Sequence, residues 1–328
     1  MMDLSSIKTY VGRDWELVQE RIGNVLRSDI DLLNVTNGTV LSHSGKQLRP
    51  LLSILVARAC SGGVINDTSV RYAAASELLH NATLLHDDVA DDSDKRRGVP
   101  TIRSLMGPSV SVLVGDYWLV KAMELVFGDP VADIGVIRLF SKTLGDLAEG
   151  EMLQLQKAQN CDTDENDYLK IIYSKTASLF EAACVSGAAS VGASGQMRDA
   201  AGKYAVALGL AFQIKDDMLD YAGTDTAGKP LGVDVLERKI TLPLLGALAA
   251  VSQQKSEHVR RLVREIDGSP DMRDVIVDFV KENGGLDYAA RRLGEYVDEA
   301  VAALAAFPDS REKNCLIDLA YFTAQRIM

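Results

Sequence analysis

Cysteine is scarce in this chain of 328 residues. The four present, Cys60, Cys161, Cys184 and Cys315, stand far apart and form no CxxC pair. Such spacing gives neither a disulfide framework nor a zinc site. It suits small buried apolar side chains in a reducing compartment. Proline is scarce too, with eight residues, so few positions interrupt a helix. Basic charge is outnumbered: 35 Lys and Arg against 46 Asp and Glu leave a net charge of −11. A nucleic-acid partner, which needs a basic face, is therefore not expected. Long hydrophobic runs are missing as well. The longest, Leu242 to Val251, is about half a membrane span, so no spanning helix is expected. The opening MMDLSSIKTYVGRDWELVQ lacks a basic start followed by an apolar stretch, which argues against a signal peptide. The expected location is the cytoplasm.

What is present is ample apolar material, 47% of residues against 25% charged, enough for a large core. Its periodicity is helical almost throughout. Leu52, Leu55, Val56 and Ala59 follow Pro50 at helical spacing, and Leu169, Ile172, Tyr173, Leu179, Phe180 and Ala183 recur on one face. Ser269-Pro270 reads as a cap and first-turn proline, and Asn283-Gly284-Gly285 as a stop. Clear alternating strands are absent; the one ambiguous run, Ser109 to Val114, reads as helix. Length alone suggests about two domains. No low-complexity linker divides the chain, however, and the chemically loaded segments spread from residue 45 to residue 243. We expect a single domain over residues 1–328.

One short pattern recurs: HDDVADDSDKRRG at 86–98 and KDDMLDYAG at 215–223. Each places Asp at i, i+1 and i+4 after apolar residues. On a helix, Asp87 and Asp91 share a face one turn apart, as do Asp216 and Asp220. Stacked like charges destabilise a helix by a few tenths of a kcal/mol, and by more beside apolar neighbours. A bound cation removes that penalty, and carboxylates so spaced suit Mg²⁺, which keeps sites for water and phosphate oxygens. A solvated acidic face is the plain alternative; two copies, each joined to an apolar run, count against it. Basic residues lie beside the acidic clusters: Lys46 and Arg49 in GKQLRP, Arg96-Arg97, Lys175-Thr176, Lys229 and Lys239. Arginine forks and lysine point charges both bind phosphate. The combination is suited to a metal–diphosphate complex.

The ordered set GKQLRP, ELLHNATLLHDDVADDSDKRRG, YSKTASLF, FQIKDDMLD, GKPLGVD and KITLPL resembles the trans-isoprenyl diphosphate (polyprenyl) synthase family. The resemblance implies an all-α fold, a single large antiparallel helical bundle around a deep central cavity, with the aspartate motifs facing across its mouth. It also implies a homodimer and transient membrane contact for product release. Its implied substrates are isopentenyl diphosphate and an allylic diphosphate, with farnesyl diphosphate as primer. Asp87, Asp91 and Asp216 would ligate Mg²⁺, three ions per site with substrate bound, and Asp88, Asp217 and Asp220 would support them. Arg96, Lys175, Lys229 and Lys239 would hold the allylic diphosphate. Lys46, Arg49, His80 and Arg97 would hold that of isopentenyl diphosphate. Thr176 and Gln213, with Lys175, would face the developing allylic cation. His80 lies seven residues before Asp87, two turns down the same face; His86 reads as structural. In this chemistry metal and cationic side chains stabilise the leaving diphosphate, the allylic C–O bond ionises, and the isopentenyl double bond attacks.

The helix before Asp87 can act as a ruler. Ala82 and Thr83, five and four residues before it, lie a turn deeper, where short-chain relatives place an aromatic block. Two small residues leave the way open, and Leu119, Met123, Phe127 or Phe140 could form a floor. LAEGEMLQL departs from the GQxxDL pattern of short-chain members, with Glu151 and Gln154 in place of its Gln and Asp. These segments look most like octaprenyl diphosphate synthases, so the expected product is long, with octaprenyl the leading choice. The alternatives are a farnesyl or geranylgeranyl synthase, or a non-catalytic subunit of a heteromeric synthase. A terpene cyclase shares the first motif, but would not need the isopentenyl site or a full second Asp-Asp-x-x-Asp.

Overall fold

Asn66 opens the helix that carries the first aspartate motif: its side chain accepts from Ser69 N–H, and the Ser69 hydroxyl reciprocates toward the Asn66 backbone. Local signals of this kind set helix boundaries along the chain. The computed structural model describes residues 3–96, 98–128, 133–222, 231–266 and 269–325. In chain order its α-helices are α1 Leu4–Val11, α2 Arg13–Val25, α3 Asp31–Ser42, α4 Leu48–Ser61, α5 Asp67–Ala90, α6 Ile102–Met106, α7 Pro108–Phe127 and α8 Ile134–Asn160. There follow α9 Glu165–Ile172, α10 Ser178–Ser190, α11 Gly195–Ala222, α12 Val233–Leu236, α13 Leu242–Ala249, α14 Gln253–Glu265, α15 Pro270–Glu282, α16 Gly285–Ala303 and α17 Arg311–Gln325. The ambiguous run 109–114 is helical, within α7. Ser269 caps α15 by accepting from Met272 N–H. Gly284, at φ 72°, caps the start of α16 at once.

Strand structure among the described residues is one hairpin, β1 Lys95–Arg96 paired antiparallel with β2 Val99–Pro100. Two-residue strands are too short to give alternation in the sequence. Gly98 supplies the turn, at φ 79°.

The chain divides into two compact units. The first comprises Met1–Ser141, Ala182–Gly202 and Ala306–Leu316. Its centre is α5, buried nearly all round through Tyr72, Ala73, Ala74, Ala75, Leu78, Leu79, Ala82 and Leu85. That helix packs against α7, α4 and α2. Other helices contribute large side chains to this core, among them the fully buried Trp118 and Phe140. Trp118 Nε1 donates to Asn37 Oδ1 at 2.7 Å, satisfying the buried indole. Phe140 lies tilted against Tyr72, with ring centroids 6.4 Å apart.

The second unit comprises Lys142–Glu181, Lys203–Ala305 and Ile317–Met328. Here α13 packs against α16 and α15. A π-turn, Tyr173–Ala177, joins α9 to α10. It is gripped by glycines on both sides: a Cβ on Gly150 would stand 2.5 Å from Ser174 Cβ, and one on Gly209 2.5 Å from Ala177 Cα. Backbone cannot give way as a flexible side chain can. Gly209→Ala is therefore expected to destabilise the protein by about 2 kcal/mol through overpacking. A thermal midpoint unchanged from wild type would refute the tight contact.

Candidate active site

Both aspartate motifs end their helices. In the first unit, Asp87 and Asp88 occupy the last turn of α5 and Asp91 is its C-cap, with Asp91 N–H donating to the Asp87 carbonyl at 2.8 Å. In the second, Asp216, Asp217 and Asp220 lie in the last two turns of α11. A helix C-terminus carries the negative end of the macrodipole. Carboxylates placed there add to that negative potential, which a bound cation relieves.

Asp88, Asp217 and Asp220 accept from protein donors. Buried Asp88 accepts from Arg96 Nε at 2.8 Å; the chain reverses just after α5, where Asp92 is at φ 52° and Ser93 N–H donates to the Asp88 carbonyl at 2.9 Å. Burial raises the Asp88 pKa and the Arg96 guanidinium opposes that rise. Asp217 accepts from Tyr168 OH at 2.7 Å and from Gln213 Nε2 at 2.9 Å, one on each oxygen. Burial, then the charge of Asp234, lifts Asp217 well above the carboxylate range. Asp220 accepts the backbone N–H groups of Val233 and Asp234 at 3.1 Å each, and so anchors α12. Burial raises Asp220, against the pull of those two N–H donors. The acids next to the first motif are also engaged: Arg103 pairs with Asp92 and, at 2.7 Å, with Asp94.

Among the described residues, no three acidic, histidine or cysteine side chains converge into a ready-made metal cage. Hard oxygen donors in pairs one turn apart still fit Mg²⁺, which uses one or two carboxylates and fills its remaining positions with water and substrate phosphate oxygens. Asp87 with Asp91 in the first unit, and Asp216 with Asp220 in the second, are pairs of that kind.

Lys175 and Thr176 sit inside the π-turn; such turns recur at functional sites. Thr176 Oγ1 donates to Gln213 Oε1 at 2.8 Å. A relay thus runs from Thr176 through Gln213 to Asp217, with Tyr168 closing it from the far side. Tyr168 is fully buried and its pKa is raised well above normal, first by burial and then by Asp217, so it remains a donor. Asp234 is pushed up to about 7, by removal from solvent and then by Asp220, while Lys239 and Lys175 pull it down. Those two lysines therefore act on the same acidic neighbourhood in this unit.

On the first unit, Lys46 is exposed just before α4 and Arg49 lies in its first turn, after Gln47 at a left-handed φ of 52°. His80, Ala82 and Thr83 sit lower on α5: Ala82 is buried, while His80 and Thr83 are half-buried. Of the floor residues, Phe140 is buried, Leu119 and Met123 are half-buried, and Phe127 is 51% exposed. Arg97 and Lys229 lie outside the described residues. Sequence reasoning missed Tyr168, 49 positions from its partner Asp217, and Asp234, whose signal was its place at the end of GKPLGVD.

An all-α chain with aspartate pairs at two helix C-termini and lysines or arginines beside them defines a class, the isoprenoid synthases. Comparison with known proteins is consistent with this and narrows it. The polyprenyl synthetase family profile matches residues 31–279. The octaprenyl diphosphate synthase of Escherichia coli (strain K12) is 36% identical over 326 residues, covering 99% of each chain. A decaprenyl diphosphate synthase from Rhodobacter capsulatus has a crystal structure that superposes with a TM-score of 0.91 at 34% identity, covering 99% of this chain and 100% of that one. A polyprenyl synthase from Caulobacter crescentus CB15, crystallised with calcium and isoprenyl diphosphate, gives 0.90 at 35%, covering 99% and 98%. This chain belongs to the polyprenyl synthetase family. It has the all-α isoprenoid synthase fold and is a prenyltransferase, a long-chain polyprenyl diphosphate synthase that elongates its product.

Proposed function

We propose that the chain condenses farnesyl diphosphate with successive isopentenyl diphosphates in the presence of Mg²⁺, giving an all-trans product of octaprenyl length. The observation that carries the metal reading is the placement of the paired carboxylates: Asp87 with Asp91, and Asp216 with Asp220, each stand one turn apart at a helix C-terminus, where a cation relieves their mutual repulsion. In this reading Asp87, Asp91 and Asp216 ligate the metal, and Asp88, Asp217 and Asp220, each accepting from donors within its own unit, support them. The divalent ion and isoprenyl diphosphate in the Caulobacter crescentus relative's crystal support such a complex. When bound, the metal neutralises charge on the departing diphosphate.

The side chains do the rest. Arg96, Lys175, Lys229 and Lys239 hold the allylic diphosphate; Lys46, Arg49, His80 and Arg97 hold that of isopentenyl diphosphate. The Thr176–Gln213–Asp217 relay fixes the Thr176 hydroxyl and Gln213 amide oxygens, whose partial negative charge faces the allylic cation, and Tyr168 keeps Asp217 in position. Thr83 and Ala82 leave room for the growing tail. Assembly as a homodimer is supported by the outer face of α7, where Leu113, Val120 and Phe127 recur every seventh residue at 66%, 54% and 51% exposure. Apolar stripes of this kind mark interaction surfaces. No helix among the described residues is long and apolar enough to cross a membrane.

The test is turnover by the purified chain alone with isopentenyl diphosphate and an allylic diphosphate. Elongation that stops on chelation of Mg²⁺ is the expected result. Elongation that needs a second protein would favour the heteromeric reading, and no elongation under any condition would sink the proposal.

A further inference from the structure

Lys175 Nζ forms an ion pair with Glu151 Oε2, and the two side chains keep only 26% and 22% of their exposure. The pairing does not depend on chance meetings of long side chains. Gly150, next to Glu151, brings the α8 backbone against the π-turn, so closely that a Cβ there would lie 3.2 Å from Lys175 Cγ. Gln154 Nε2 donates to the other Glu151 oxygen at 3.2 Å, leaving Oε2 to the lysine. That carboxylate is thus held by a backbone contact on one side and an amide on the other.

A lysine that binds phosphate gains nothing from a fixed carboxylate of its own, because the carboxylate competes with the phosphate for the same ammonium and repels it. The chemistry of stepwise elongation supplies a use. Every condensation breaks one allylic C–O bond, forms one C–C bond from the isopentenyl double bond, and releases one C–H proton as a new double bond forms; the freed inorganic pyrophosphate, which can carry that proton away, must leave while the hydrocarbon stays.

We propose that Glu151 is a positioning residue that acts as the counter-ion of Lys175. It holds the lysine in place between turnovers and weakens its grip on the allylic diphosphate, so that pyrophosphate departs. This rests on Lys175 being a ligand of the allylic diphosphate. Glu151→Gln keeps shape and removes charge. Titration calorimetry of the full chain with Mg²⁺ and inorganic pyrophosphate is expected to give a Kd about fivefold lower for Glu151→Gln than for wild type. The gain should vanish when Lys175→Met is added. In steady state, the KM for farnesyl diphosphate and kcat should fall together, as pyrophosphate release slows. A merely structural role would not tighten binding. A wild type that elongates, paired with a Glu151→Gln variant that binds pyrophosphate no tighter, overturns this proposal alone. So does a gain that persists with Lys175→Met. A wild type that neither binds Mg²⁺-pyrophosphate nor elongates overturns the underlying reading with it.

Discussion

Asp87→Ala is expected to lower turnover about a thousandfold while leaving metal-free stability within about 0.5 kcal/mol of wild type. The two halves of that result have separate causes. Asp87 sits half-buried in the last turn of α5, one turn from Asp91, where like charges and the helix C-terminus both disfavour it. Removing the carboxylate relieves that local repulsion, which offsets the contacts the side chain gives up. The diphosphate, by contrast, loses one of the oxygen ligands that hold its metal. Asp88→Ala should behave differently, because its carboxylate accepts from Arg96 at 2.8 Å; removing it frees Arg96 from its partner and perturbs the hairpin. The discriminating readout is the thermal midpoint with Mg²⁺ and pyrophosphate. Ligand binding to the native state raises it for wild type; the account predicts no such rise for Asp87→Ala. Near-wild-type turnover in Asp87→Ala would remove the metal assignment.

Thr83→Tyr is expected to cut the product to geranylgeranyl length or below. Thr83 precedes Asp87 by four residues and so shares its face, whereas Ala82, one residue further back, lies about 100° round the helix from Thr83, at the edge of that face. The structure separates them further: Thr83 is half-buried, with its hydroxyl donating to the His80 carbonyl at 2.8 Å, while Ala82 is 1% exposed. A ring at half-buried Thr83 has less to displace than one at Ala82. One at 82 must push into packed neighbours, so Ala82→Tyr should cost about 2 kcal/mol of stability as well as shorten the product. If neither variant changes the distribution of products, the ruler idea fails.

The parts of the molecule legible in sequence are those set locally. Ser269-Pro270 and Asn283-Gly284 mark helix ends through their own side chains and dihedral freedom. The two Asp-Asp-x-x-Asp patterns announce themselves because stacked carboxylates beside apolar runs are physically odd. The illegible parts are set by distant neighbours. Nothing in Tyr173–Ala177, which has neither glycine nor proline, foretells a π-turn; Gly150 and Gly209 permit it from other helices. Tyr168 gains its meaning only when α11 brings Asp217 to its hydroxyl. The donors to Asp88 and Asp220 likewise lie outside their motifs, Arg96 for one and the backbone of 233–234 for the other. Glu151 stood out only as a departure from a pattern; its contact with Lys175 needed the fold.

The most direct measurement is the size of the product made by the pure chain from farnesyl diphosphate and excess isopentenyl diphosphate with Mg²⁺. The account predicts a narrow distribution of all-trans polyprenyl diphosphates, clearly longer than geranylgeranyl and centred on octaprenyl, with none formed after chelation. Products that stop at geranylgeranyl length, or synthesis that continues without a divalent ion, would contradict it.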